Sequence, residues 1–198
     1  MRGQYGRLRV IDPALPFPAR VHGKSYFALI DQFAELSKQK NIKLVLNLPP
    51  CHVSILDTFY EAGAWRYLEE FKKKIADRVR DDNNRLGTDI AVYDFCVVST
   101  ETDAPVFDRP DRMTPVRGVW DAGHPSNDLG EVALGIMLGG KKPIGQFGTD
   151  LAQVTNMNSY LATQRRALEA VRRSMPKEFQ IDTNIFKGPP IAGCDEAY

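Results

Sequence analysis

Between residues 24 and 40 apolar side chains recur at Phe27, Leu29, Ile30, Phe33, Ala34 and Leu36. That three-to-four spacing predicts an amphipathic helix, with Asn41 as its stop. The run from Ile42 to Leu48 is short, apolar and cut off by Pro49-Pro50. It predicts a buried strand of a parallel sheet, because proline has no N–H to give the ladder. Residues 53–62 predict a short helix closed by Gly63. Residues 65–82 predict a longer one, with Leu68, Phe71, Ile75 and Val79 on one face. Asp81-Asp82-Asn83-Asn84-Arg85 is its expected exit, Gly87 completes the turn, and 88–95 follow as a second strand. Strand, helix pair and strand predict a right-handed βαβ unit, hence an α/β layer.

Further on the periodicity weakens. Residues 98–119 carry Pro105, Pro110 and Pro115 and predict a long loop, a kind that is uncommon and often functional. Trp120-Asp121-Ala122-Gly123-His124-Pro125 ends it. A helix then starts with Ser126 or Asn127 as N-cap and Glu131 behind, striped by Leu129, Val132, Ala133, Ile136 and Met137, and stopped by Gly139-Gly140. A last helix is expected over 151–174, and the tail 175–198 has few packing signals and is expected to be loosely ordered. At the other end, 1–23 is a Pro-punctuated connector (Pro13, Pro16, Pro18) of the kind that joins something upstream to something downstream. The expected organisation is therefore a connector at 1–23, an α/β unit at 24–140, and a helix with its tail at 141–198. No internal repeat occurs.

Composition narrows the partners. The 26 basic residues nearly cancel the 25 acidic ones, so no global field draws nucleic acid or anionic lipid. Lys72-Lys73-Lys74, Arg165-Arg166 and Arg172-Arg173 fall at helical spacing and read as solvated helix faces. No stretch is apolar enough to span a bilayer, and the first residues lack the apolar centre of a signal peptide. Cys51, Cys96 and Cys194 are an odd number, far apart and without Cys-x-x-Cys, so each reads as a buried or indifferent free thiol and no structural zinc site is expected.

The segment with most chemistry is Asp121-x-x-His124. A carboxylate three residues before a histidine, on a glycine-containing turn at a helix entrance, can accept from one ring nitrogen and leave the other as a base. By spacing alone the plainer reading is preferred, in which His124 caps the helix and Asp121 makes an Asx-turn. His52, just past a strand's C-terminal end, falls where open α/β sheets collect ligands, although a loop histidine satisfied by backbone is the plainer alternative. His22 reads as a surface residue. A metal at His52, Asp94, Asp121 and His124 has no ligand spacing behind it, so no metal or other cofactor is expected. Phe59, Tyr60, Trp65 and Tyr67 are close enough to suggest a sugar-stacking surface, and more often such aromatics are core.

Context raises the chemical reading. From Ile42 to about Leu138 the chain resembles the last third of the SGNH (GDSL-like) hydrolase fold. The matching features are the strand Leu44-Val45-Leu46-Asn47-Leu48 ending in Pro49-Pro50, a long helix and another strand, then Asp121-x-x-His124 opening a helix. Pro49-Pro50-Cys51-His52 and Trp120-Asp121-Ala122-Gly123-His124 are most similar to SGNH-like proteins of bacterial exopolysaccharide and alginate acetylation. The resemblance implies a three-layer α/β/α fold with a parallel sheet and a serine esterase or O-acyltransferase of small acyl esters, acetyl groups on a polysaccharide among them. It makes Asp121 and His124 catalytic, puts His52 and Trp120 at the substrate, and suggests the cell envelope. No Gly-Asp-Ser occurs, however, and Ser25, Ser37 and Ser54 fall in or at the start of predicted helices. The fold is therefore expected to be incomplete at its N-terminus, with the nucleophile outside this chain. The alternative is a non-catalytic SGNH-like scaffold that binds a glycan or a partner. Neither reading sets an oligomeric state.

Overall fold

A computed structural model describes residues 20–21, 24–103, 118–121 and 124–174. The fold is mixed α/β, with five α-helices among the described residues. A short antiparallel pair, β1 (Arg20–Val21) and β2 (Lys24–Ser25), leads into α1 (Tyr26–Lys40). Then come β3 (Val45–Leu48), α2 (Val53–Glu61), α3 (Trp65–Leu86) and β4 (Ala91–Asp94). β5 (Val119–Asp121) and β6 (His124–Pro125) precede α4 (Asn127–Met137), and β7 (Thr149–Asp150) and a 3-10 turn (Leu151–Gln153) precede α5 (Met157–Ser174).

β3 and β4 pair in parallel, Val45 with Ala91 through Leu48 with Asp94, as a strand–helix–helix–strand unit requires. The third strand departs from the expected all-parallel sheet: β7 joins β4 antiparallel, in the order β3-β4-β7. Its approach depends on Gly148, at φ +82°, where a Cβ would come within 2.9 Å of both Ile136 and Phe95.

The side chains along β4 divide two ways, as the period of a strand demands. Val92 packs with Leu48, with Ala34 of α1, with Ile75, Ala76 and Val79 of α3, and with Tyr160 and Leu161 of α5. Tyr93 and Phe95 pack instead with Val119, with Leu129, Ala133 and Ile136 of α4, and with Phe147, whose ring centre lies 4.9 Å from that of Phe95. α5 thus shares a core with the segment at 24–140. No helix among the described residues is long and apolar enough to cross a membrane.

Element ends follow local chemistry. Asn41, at φ +53°, stops α1, and the Ile42 N–H reaches back to the Ser37 carbonyl at 2.9 Å. α3 runs one turn past its expected end at 82. Asp82 is buried and pairs with Arg85 at 2.6 Å, while Asn83 accepts from Ile90 N and donates to Ile90 O, tying the helix end to the entrance of β4. The expected continuous helix over 151–174 is broken instead. Asp150 caps the 3-10 turn, the Asn156 side chain accepts from Ser159 N at 2.9 Å, and Arg80 donates to the carbonyls of Leu151, Ala152 and Val154 freed by the break. The loop expected at 98–119 lies outside the described residues over 104–117, as do His22 and the tail 175–198.

Candidate functional site

The C-terminal ends of β3 and β4 carry Pro49-Pro50-Cys51-His52 and Asp94-Phe95-Cys96, the edge at which an open α/β sheet presents its chemistry. Beside it stands the β5–β6 hairpin. The segment read as a loop is a pair of strands whose register sets Asp121 opposite His124. His124 is exposed. Ser126, whose N–H bonds the Gly118 carbonyl at 3.0 Å, caps α4 by accepting from Leu129 N at 3.3 Å. The helix entrance is therefore capped by Ser126, and the plainer role for His124 as its cap falls away. The side chains of Trp120 and Asp121 lie outside the described residues.

A turn at 99–102 braces this hairpin and α2 together. The Thr102 carbonyl accepts from Val53 N at 3.0 Å, and its hydroxyl donates to the Val97 carbonyl at 2.9 Å. On its other side, Gly118 (φ +80°) sits so close that a Cβ would lie 2.3 Å from the Glu101 carbonyl oxygen. Only glycine fits there.

His52 is 1% exposed and is the N-cap of α2. Its Nδ1 accepts from Ser54 N at 3.2 Å and lies 2.9 Å from Ser54 Oγ. The last distance is that of a nucleophile and its base. Both groups are buried, though, and the contact is the local one by which a cap closes a helix. Ser37 is likewise buried, its hydroxyl donating to the Ala34 carbonyl at 2.7 Å.

Beneath the edge lies a polar centre. Lys72, read from its run of lysines as solvated, has no exposed side chain. Its position repeats the Leu68–Ile75–Val79 face of α3, and burial follows from that face, whereas Lys73 and Lys74 are half-buried. Lys72 Nζ lies 2.7 Å from Asp94 Oδ2 and donates to the Cys96 carbonyl at 2.6 Å and to Gln164 Oε1 at 2.9 Å. Asp94 also accepts from Tyr160 OH (3.1 Å), Gln164 Nε2 (3.2 Å) and Cys96 N (3.0 Å). Burial and the neighbouring Asp94 charge push the Tyr160 phenol far up and keep it protonated. With its oxygens so engaged, Asp94 is no candidate metal ligand, and no metal-ligating cluster occurs among the described residues.

Cys51 and Cys96, each expected as a buried or indifferent free thiol, come together with their sulfurs 2.7 Å apart. The hydrogen bond between them splits their behaviour. It lowers the Cys96 pKa, with Lys72 assisting, and with burial it raises the Cys51 pKa well above the ordinary thiol value. The signal in the sequence was positional: each cysteine falls just past the end of one of two neighbouring parallel strands.

Of the aromatic group Trp65 is core, Phe59 and Tyr60 pack half-buried against it, and half-buried Tyr67 carries the Arg66 guanidinium over its ring. Trp65 is 7% exposed, meets Tyr60 edge-on and donates to Glu69 at 2.7 Å. An open cleft of about 400 Å³ lies at the opposite, N-terminal end of the parallel pair, lined by Lys38, Asn41, Lys43, Thr88 and Asp89 among others. It holds no histidine, cysteine or paired carboxylates, so the C-terminal edge is the better site despite the cavity. Comparison with family models, curated proteins and solved structures returned no match.

Proposed function

We propose that the chain carries the histidine–aspartate half of an SGNH-like serine esterase or O-acyltransferase, in a three-layer α/β/α setting. The observation that carries the reading is the β5–β6 register, which sets Asp121 opposite an exposed His124 at the entrance of a helix already capped by Ser126. In this reading Asp121 holds one imidazole nitrogen and stabilises the imidazolium, while the other nitrogen takes the proton of a serine hydroxyl. The serine attacks the carbonyl of a small acyl ester, an acetyl group on a glycan fitting the class, and the acyl group passes to water or a sugar hydroxyl. The resemblance puts Trp120, next to the pair in sequence, at the substrate. His52 supports the edge from beneath as the cap of α2.

The nucleophile is assigned to a segment that pairs alongside β3, whose outer edge has no partner strand among the described residues. The cell envelope follows only from the resemblance. A glycan-binding scaffold without catalysis is the second reading, favoured by the burial of His52 and Ser54, the edge's other histidine and hydroxyl.

The test is hydrolysis of p-nitrophenyl acetate and of an O-acetylated polysaccharide by the full-length protein, wild type against Asp121→Asn and His124→Ala. Loss of a positioned general base lowers turnover on the order of 10²–10⁴-fold, and both variants are expected to show it with unchanged circular dichroism. Turnover indifferent to both substitutions, or none in the wild type, leaves the scaffold reading.

A further inference from the structure

Two thiols at matched strand ends are a chemical device of their own, independent of the ester reading. Cys51 and Cys96 approach to 2.7 Å between sulfurs, so joining them asks for a shift of well under an ångström toward a bond of about 2.05 Å. They differ in exposure and in electrostatics. Cys51 is 9% exposed, whereas Cys96 is half-buried. The hydrogen bond between the two sulfurs favours negative charge on Cys96 and disfavours it on Cys51, while the buried Lys72 ammonium, held on the Cys96 carbonyl at 2.6 Å, acts on both sulfurs against Asp94.

We propose that Cys51 and Cys96 are a reversible disulfide site at the C-terminal ends of β3 and β4, with Cys96 attacking a small hydroperoxide and Cys51 resolving it. The Cys96 thiolate attacks one peroxide oxygen, the O–O bond breaks, and the departing alkoxide or hydroxide takes a proton. Cys96 is left as a sulfenic acid. The Cys51 sulfur then attacks the Cys96 sulfur. The S–S bond forms, the S–O bond breaks, and the leaving hydroxide takes the Cys51 proton as water. Two thiols have given two electrons and two protons to the peroxide, and an external dithiol reverses the change by exchange.

The product would pin the Cys51-His52 segment, and with it the cap of α2, to the exit of β4. Cys194→Ser in the full chain removes the third thiol. The folded protein is treated with one equivalent of hydrogen peroxide, cleared with catalase, unfolded in guanidinium with iodoacetamide, and weighed intact. The expected result is loss of the mass of two hydrogens, no alkylation, a linked peptide pair containing residues 51 and 96, and full reversal by dithiothreitol. In Cys51→Ser, Cys96 is expected to gain one oxygen that dimedone traps, with circular dichroism unchanged. Alkylation of both thiols after peroxide, linkage only when peroxide is added to unfolded chain, or oxygen gained by Cys51 in preference to Cys96 would overturn the proposal.

Discussion

Two places at one end of the sheet each set an acidic residue beside a cation-forming one, and they are built in opposite ways. At the end of β4, Asp94 and Lys72 have no exposure, and Tyr160, Gln164 and two backbone groups of Cys96 complete their hydrogen bonds. On the β5–β6 hairpin, Asp121 and His124 are backbone partners in the strand register and the histidine is open to solvent. A charge pair whose partners are all internal is committed to the fold, because any proton or ligand it accepted would leave another buried group unpaired. His124, by contrast, is reached by solvent. The buried centre holds α3, β4 and α5 together, and the hairpin is where the proposed chemistry with an outside molecule would take place.

The contrast can be broken from the buried side first. Lys72→Met leaves Asp94 uncompensated and should cost about 3–5 kcal/mol of stability in urea unfolding, while Lys72→Met with Asp94→Asn should recover part of the loss. A second buried acid sharpens the point, because it lacks the network. Asp57 has no exposure, Arg172 Nε approaches one oxygen at 2.9 Å, and neither oxygen has a hydrogen-bond partner among the described residues. Burial raises its pKa to about 6 from an ordinary 3.8, against the pull of Arg172. The folded chain therefore holds more protons than the unfolded one between those values. The stabilising contribution is fully present below pH 3.8 and is lost as pH rises through 6. Relative to Asp57→Asn, the wild type should lose on the order of 3 kcal/mol between pH 4 and 7, read from unfolding curves at each pH. The smallest effect belongs to the hairpin's own support. Ser126→Ala removes one helix cap and should cost about 1 kcal/mol, seen as a lower urea midpoint at unchanged slope.

How much of this could be read from the chain depends on whether a signal is local. The parallel pair, α1, α2 and α4 follow from periodicity and from Pro49-Pro50, Asn41, Gly63 and Ser126, all of which act within a turn or so of themselves. β7 is not legible in the sequence, because Thr149–Asp150 is too short for any alternation and exists only through pairing with β4. The burial of Lys72 is hidden in the sequence, because a run of three lysines looks solvated until the helix it lies on is rotated against its apolar face. The Cys51–Cys96 contact spans 45 positions and needs the β3–β4 register before it can be seen. Asp121 and His124 were legible as a motif, while their cross-strand pairing was not, since Ala122-Gly123 reads as a plain turn.

The most direct measurement compares stability and turnover in His124→Ala. The exposed imidazole predicts urea unfolding within about 0.5 kcal/mol of wild type, together with acetyl-ester hydrolysis by the full-length protein lowered on the order of 10²–10⁴-fold. Unchanged hydrolysis at unchanged stability would contradict the assignment of His124 as the base. A large loss of stability would instead show the hairpin to be structural.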